Sequence, residues 1–214
     1  MNVAGKICVV TGGASGIGKA LASRFVAEGA KAVVIADLNA DSVSSVAAQM
    51  GAQFFALDVR DETAIASMVA AIEAEHGQID LFCSNAGIIG VDGAPWWATG
   101  ADNDMWQRMW EIHLMSHVYA ARACLPGMIA RGEGYFLNTA SAAGLLAQIG
   151  SAPYSVTKHA AVSFAECLAF THADDGIKVS CRCPQAVDTA MTAGTEGGGV
   201  AGVDGMLSAE AVAD

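Results

Sequence analysis

The sequence predicts an α/β fold organised around a parallel sheet, and three observations predict it. Short apolar runs rich in β-branched residues recur along the 214 residues. Longer amphipathic stretches separate them. The runs are apolar throughout rather than alternating, as strands covered on both faces are.

The runs are "KICVVT" (6–11), "KAVVIA" (31–36), "AQFFAL" (52–57), "IDLFCS" (79–84), "GYFLNT" (134–139) and "IKVSCRC" (177–183). Each is of strand length and is flanked by glycine or aspartate. Helical patterns lie between them. Residues 18–29 put Ala20, Leu21, Phe25 and Val26 on one face. Residues 61–77 open with an acidic first turn and stop at Gly77. Residues 103–131 are long enough for the longest helix, and residues 152–173 form another. Strict strand–helix alternation means a three-layer α/β/α, Rossmann-type doubly wound sheet with right-handed crossovers. One domain over 1–214 is expected, with no internal repeat. Half of the stretch "GTEGGGVAGVDG" (194–205) is glycine. It reads either as a linker or as a lid, since such sheets bind ligands at the loops of their carboxyl edge.

Composition narrows the function classes. Apolar residues make up 53% and charged residues 15%, which excludes disorder. The net charge of −11 argues against general nucleic-acid binding. A small anionic cofactor is still compatible, because local dipoles can hold one against the global field. No run of 18 apolar residues and no secretory leader pattern is present, so a soluble cytoplasmic protein without a membrane span is expected. The six cysteines (8, 83, 124, 167, 181 and 183) mostly sit in apolar runs and read as buried free thiols. Cys181 and Cys183 form a CxC with no second ligand pair, so no metal site is expected.

The loop after the first run, "VVTGGASGIGKAL", carries Gly12, Gly16 and Gly18 between a strand and a helix. Glycine lets the backbone turn sharply and approach a pyrophosphate, while the helix offers free N–H groups. Alone, the loop could equally be a tight turn. Asp37 closes the second run, 19 residues beyond Gly18. A carboxylate there can accept from the adenosine ribose 2′-hydroxyl. It would repel a 2′-phosphate by on the order of 4 kcal/mol per unit charge, at ~4 Å and an effective dielectric of ~20. Ser15, Leu38 and Asn39 offer no compensating charge. The expected cofactor is NAD rather than NADP.

These features belong to a set of six: "TGGASGIG" (11–18), Asp37, "DV" (58–59), "NAG" (85–87), Ser141 with "YSVTK" (154–158), and "PQAVDT" (184–189). In this order and spacing, the chain resembles the classical short-chain dehydrogenase/reductase family over nearly its whole length. The resemblance implies that Gly12, Ser15, Gly16, Ile17, Gly18, Asp37 and Leu38 hold the adenosine and pyrophosphate. It implies that Asp58 and Val59 contact adenine, and that Asn85, Ala86 and Gly87 line the nucleotide cleft. Val187 and Thr189 would hold the nicotinamide carboxamide, and Lys158 the nicotinamide ribose. Tyr154 would exchange a proton with the alcohol oxygen, with Ser141 bonded to that oxygen. A free phenol ionises near ~10, and bringing it to about 7 takes roughly 4 kcal/mol. The Lys158 ammonium one helical turn away, with the charged nicotinamide, is expected to supply that stabilisation. A homo-oligomer is also implied.

Three departures stand out. His113 in "EIHLMSH" occupies the place of a family asparagine that helps hold a relay water. It could keep the proton relay, carry the proton itself, or merely pack. Gln185 follows Pro184 where glycine is common. The sequence stops at Asp214 within the helical start "LSAEAVAD", so a further family strand is expected to be missing from the sheet edge.

Ile88, Ile89, Trp96, Trp97, Leu145 and Leu146 lie where the resemblance places substrate, which suggests an apolar secondary alcohol or ketone. The tryptophans could equally be packing residues. Two rival functions remain at this stage: a nucleotide-binding protein that has lost catalysis, and an NAD-using epimerase or dehydratase.

Overall fold

The computed structural model describes residues 1–93, 97–193 and 205–214. Six parallel strands form one sheet: β1 (Ile7–Thr11), β2 (Ala32–Asp37), β3 (Gln53–Ala56), β4 (Leu81–Ser84), β5 (Gly134–Thr139) and β6 (Ile177–Arg182). Their order is β3-β2-β1-β4-β5-β6, which is the doubly wound arrangement. Every apolar run expected to be a strand is one. Among the described residues the sheet ends at β3 and β6, so no seventh strand extends it.

Alternate residues of each strand enter opposite layers, as a period of two requires. Cys8, Val10, Val33 and Ile35 pack with α1 (Gly16–Ala27) and α2 (Ala40–Met50). Ile7, Val9, Val34, Phe82 and Phe136 pack with the second layer. That layer contains α3 (Glu62–His76), α5 (Ser116–Arg131) and α6 (Ala152–His172).

The expected long helix runs from residue 103 to 131 in three joined pieces. α4 (Asn103–Trp110) passes into a π-helical turn (Glu111–Met115) and then into α5. A π turn inserts an extra residue and rotates the side chains that follow. Here it falls on Ile112 and His113, both buried.

A two-residue parallel ladder, unannounced by any periodicity, joins β7 (Val187–Asp188) to β8 (Leu207–Ser208), and α7 (Ala209–Ala213) follows. Most of the glycine-rich stretch 194–205 and Trp96 lie outside the described residues, so neither reading of that stretch is decided.

The strand order reverses between β1 and β4, where the connections diverge and open a crevice at the carboxyl edge. The glycines of the first loop permit its close packing there. Gly12 has φ +67°, and a Cβ on Gly18 would stand 2.2 Å from the Gly12 carbonyl oxygen. Gly18→Ala should therefore displace the loop. We expect about 1–3 kcal/mol of lost stability in urea unfolding, the usual cost of overpacking. Unchanged stability would mean that the turn relaxes freely.

Candidate active site

The crevice is floored by the first loop and walled by the segment after β4. The Thr11 hydroxyl accepts from the N–H groups of Asn85 (3.0 Å) and Ala86 (3.2 Å). Asn85 Nδ2 donates to the Thr11 carbonyl at 3.1 Å. These bonds fasten the "NAG" turn to the end of β1.

α1 then starts in an unusual state for this chain. Ser15 stands at its N-cap position without making a capping bond. By contrast, α2, α3 and α4 are capped by Asn39, Asp61 and Asp102. The first amides of α1 are left for another acceptor, and an anion is what a helix N-terminus prefers.

Asp37 Oδ2 accepts from the Ala14 N–H at 3.1 Å, which fixes the carboxylate at the crevice wall. Asp58 also lines the wall, but Arg60 grips its carboxylate at 2.6–3.1 Å. That grip holds the Asp58 carboxyl below its usual range. Asp58 thus meets the crevice as one half of an ion pair.

The cavity encloses about 710 Å³. It gathers all the expected site residues except Gly18, which lies under the loop, and His113, which sits behind Gly87. Ser141, Tyr154 and Lys158 meet in its wall. Ser141 follows β5 and opens a short 3₁₀ turn, with its Oγ accepting from the Ala143 N–H at 3.1 Å. Tyr154 and Lys158 lie on the first turns of α6, with Lys158 Nζ 5.6 Å from the Tyr154 ring centroid. The Lys158 ammonium is 3% exposed and donates to the Thr139 carbonyl at 3.2 Å.

Burial dominates the electrostatics of Tyr154 and Lys158. Burial raises the Tyr154 phenol above its usual value near 10, against a hydrogen bond with Ser141 that lowers it. Burial also brings Lys158 down to about 8. Of the two influences on the phenol, burial is the larger.

His113 and His117, one turn apart on the central helix, are both buried. Burial first, and the Lys158 charge second, hold the His113 ring well below its ordinary value and bring His117 down to about 3. Both ring nitrogens of His117, Ser84 Oγ and Asn138 Nδ2 have no partner among the described residues. Such atoms are commonly met by buried water.

A short-chain dehydrogenase family model matches residues 6–197. The chain is 36% identical over 219 residues to a 1-deoxy-11-beta-hydroxypentalenate dehydrogenase of Streptomyces exfoliatus, covering all of this chain and 78% of that one. It is 34% identical to 3beta-hydroxysteroid dehydrogenase 2 of Eggerthella lenta, covering 90% of this chain and 75% of that one. A crystal structure of a short-chain dehydrogenase from Streptomyces avermitilis superposes with a TM-score of 0.79 at 31% identity, covering 87% of this chain and 68% of that one. This chain belongs to the short-chain dehydrogenase family. It is an oxidoreductase acting at hydroxyl-bearing carbon, in a family that uses nicotinamide cofactors.

Several side chains depart from the sequence reading. Ile88, Ile89 and Leu146 line the cavity, but Leu145 and Trp97 do not. Trp97 lies in a turn closed by its own carbonyl and Gly100 N–H, and is 68% exposed. Cys8, Cys83 and Cys124 are buried as expected, whereas Cys167 is exposed and Cys181 and Cys183 are half-buried. All six are free, and no cluster of three metal-ligating side chains occurs among the described residues. No helix among them is long and apolar enough to cross a membrane. Sequence reasoning missed Asp92 and His117, which stand in no recognisable motif, and gave no role to Thr11 and Thr157, which lie inside "TGGASGIG" and "YSVTK".

The buried histidines set the acid stability. The unfolded chain protonates them near 6.5, but the folded protein does not. As pH falls below about 6.5, the unfolded state therefore binds more protons and stability falls. From pH 7 to 5.5 the loss is about 1 kcal/mol per buried histidine. Urea unfolding of wild type and His117→Leu should show roughly half of this loss removed by the substitution. An identical pH slope in both proteins would contradict a neutral His117.

Proposed function

We propose that this oxidoreductase interconverts an apolar secondary alcohol and its ketone with NAD, using Tyr154 as general acid/base. The observation that carries the reading is the convergence of Ser141, Tyr154 and Lys158 in one wall of a crevice whose opposite end is bounded by Asp37.

The residues present suit the cofactor. The uncapped start of α1 and the close-packed glycines suit a pyrophosphate. The fixed Asp37 carboxylate suits a ribose diol and opposes a 2′-phosphate. Leu38 beside it brings no positive charge. Gly16, with φ +49°, approaches Thr189, which together with Val187 borders the space for the carboxamide.

When bound, the nicotinamide supplies hydride acceptance and delivery at the carbinol carbon. In oxidation Tyr154 withdraws the hydroxyl proton, and in reduction it returns one to the ketone oxygen. Ser141 donates to that oxygen as charge builds on it. Lys158 keeps a positive charge near the phenol and close to the cofactor ribose. The substrate end of the crevice, with Ile88, Ile89, Ala143, Leu146 and Met191, favours an apolar body. The names of the two relatives above, both dehydrogenases of hydroxylated compounds, accord with this. The free thiols support a reducing, cytoplasmic setting.

Two outcomes test the reading. Tyr154→Phe should lower kcat at least 10³-fold on hydrophobic secondary alcohols, followed by NADH absorbance, with NAD binding retained. Residual turnover within tenfold of wild type would remove Tyr154 from the acid/base role. Asp37→Ser should weaken NAD binding about tenfold and narrow its advantage over NADP. An enzyme that already prefers NADP would overturn the Asp37 argument.

A further inference from the structure

The turn that carries Tyr154 is fastened at several points to the segment after β4, residues 85–92. Ile88 N–H donates to His113 Nε2 at 3.1 Å. A backbone amide can only donate, so Nε2 bears no proton and the neutral ring carries its proton on Nδ1. Nδ1 stands 2.8 Å from Thr157 Oγ1 and donates to it. The Thr157 hydroxyl passes its own proton to the Pro153 carbonyl at 2.7 Å, one residue before Tyr154. The His113 ring also meets the Tyr154 ring edge-on, with centroids 5.4 Å apart at 88°.

Further along, the buried Asp92 carboxylate accepts from the Ala152 N–H at 3.0 and 3.1 Å. It caps α6 from sixty residues away in sequence, while the helix's own N-cap, Ser151, makes no capping bond. Ser151 instead donates its hydroxyl to the Gly90 carbonyl, and Asp92 N–H donates to the Gly150 carbonyl at 2.8 Å. Asp92, His113, Ser151 and Thr157 are each less than 5% exposed.

We propose that His113 and Asp92 are positioning residues that clamp the first turn of α6 to the cofactor-side wall and thereby set the place of the Tyr154 hydroxyl. The proposal deepens the reading of Tyr154 as acid/base and rests on it. Of the roles left open for His113, it favours one without proton relay through the ring. Both ring nitrogens are already committed, and a second proton would have to displace the Ile88 amide. The charged or titratable groups facing the ring are Lys158, His117 and Tyr154, and neither the two bases nor the phenol, which burial raises, offers it a counter-charge. A helix cap satisfies an amide that the helix itself leaves without an acceptor. Asp92 accordingly contributes to holding the turn as well as to orienting it.

The test uses His113→Phe, which keeps ring volume and loses both hydrogen bonds, together with Asp92→Ala and the conservative Asp92→Asn. In the cofactor-free protein, hydrogen exchange should show loss of protection at the Ile88 amide in His113→Phe and at the Ala152 amide in Asp92→Ala. With NAD and alcohol, kcat should fall 10- to 100-fold in both while the NAD Kd stays within threefold. Asp92→Asn, which keeps one acceptor, should recover most of kcat. The pH–rate profile of His113→Phe should retain every inflection of wild type. Wild-type exchange in the variants, kcat within twofold of wild type, or a lost inflection would each overturn the proposal. If neither substituted protein folds, ¹⁵N spectra of the wild-type His113 ring decide. A fixed Nδ1–H tautomer down to pH 5.5 supports the clamp, and titration near 6.5 overturns it. Loss of kcat in Tyr154→Phe with normal clamp variants would sink this proposal alone. A fully active Tyr154→Phe would sink the acid/base reading instead.

Discussion

The site is organised around a buried cation. The Lys158 ammonium lies out of water with the Thr139 carbonyl as its hydrogen-bond acceptor among the described residues. Burying an ammonium costs several kcal/mol after relaxation, and the fall of Lys158 to about 8 expresses that cost. Neighbouring features follow from it. Two histidines close enough to feel the charge remain neutral. Gly87 runs beside it, where a Cβ would make an ordinary contact at 3.5 Å from Nζ. The end of β5 supplies the carbonyl that faces the cation.

Two sets of contacts then hold the crevice in shape. On the cofactor side, Thr11 binds the turn at residues 85–87, and the glycines of the first loop let β1 and α1 close on it. On the catalytic side, the continuation of that same segment reaches α6 through His113 and Asp92. One stretch of backbone after β4 thus touches both the proposed cofactor surface and the turn bearing the proposed acid/base. Backbone-to-side-chain bonds of this kind preserve distances that packing alone would leave loose.

The sheet was legible because strands buried on both faces must be continuously apolar, and "KICVVT" or "KAVVIA" could be little else. That the glycine loop, Asp37 and the Ser141–Tyr154–Lys158 set would share one crevice was legible from the family resemblance, since spacing alone leaves Tyr154 and Lys158 as a helix face. Asp92 was not, since a carboxylate that caps a helix across sixty residues leaves no local mark. β7 and β8 were not, since two-residue strands have no period. The π turn was hidden because an extra residue within an apolar helix changes phase without changing composition. Trp97 and Leu145 misled because their size suggested burial, whereas both face solvent. The raised Tyr154 phenol was missed because a neighbouring cation is visible in sequence and desolvation is not.

That last point holds the central claim. Burial raises the Tyr154 phenol, and under the proposed function a charged nicotinamide would stabilise its phenolate. The direct measurement is an ultraviolet difference titration of phenolate formation, wild type against Tyr154→Phe, with and without NAD⁺. The account predicts a Tyr154 ionisation above 10 in the cofactor-free protein that moves down by more than one pH unit when NAD⁺ binds. A phenol already ionising near 7 without cofactor, or one that NAD⁺ leaves unmoved, would contradict it.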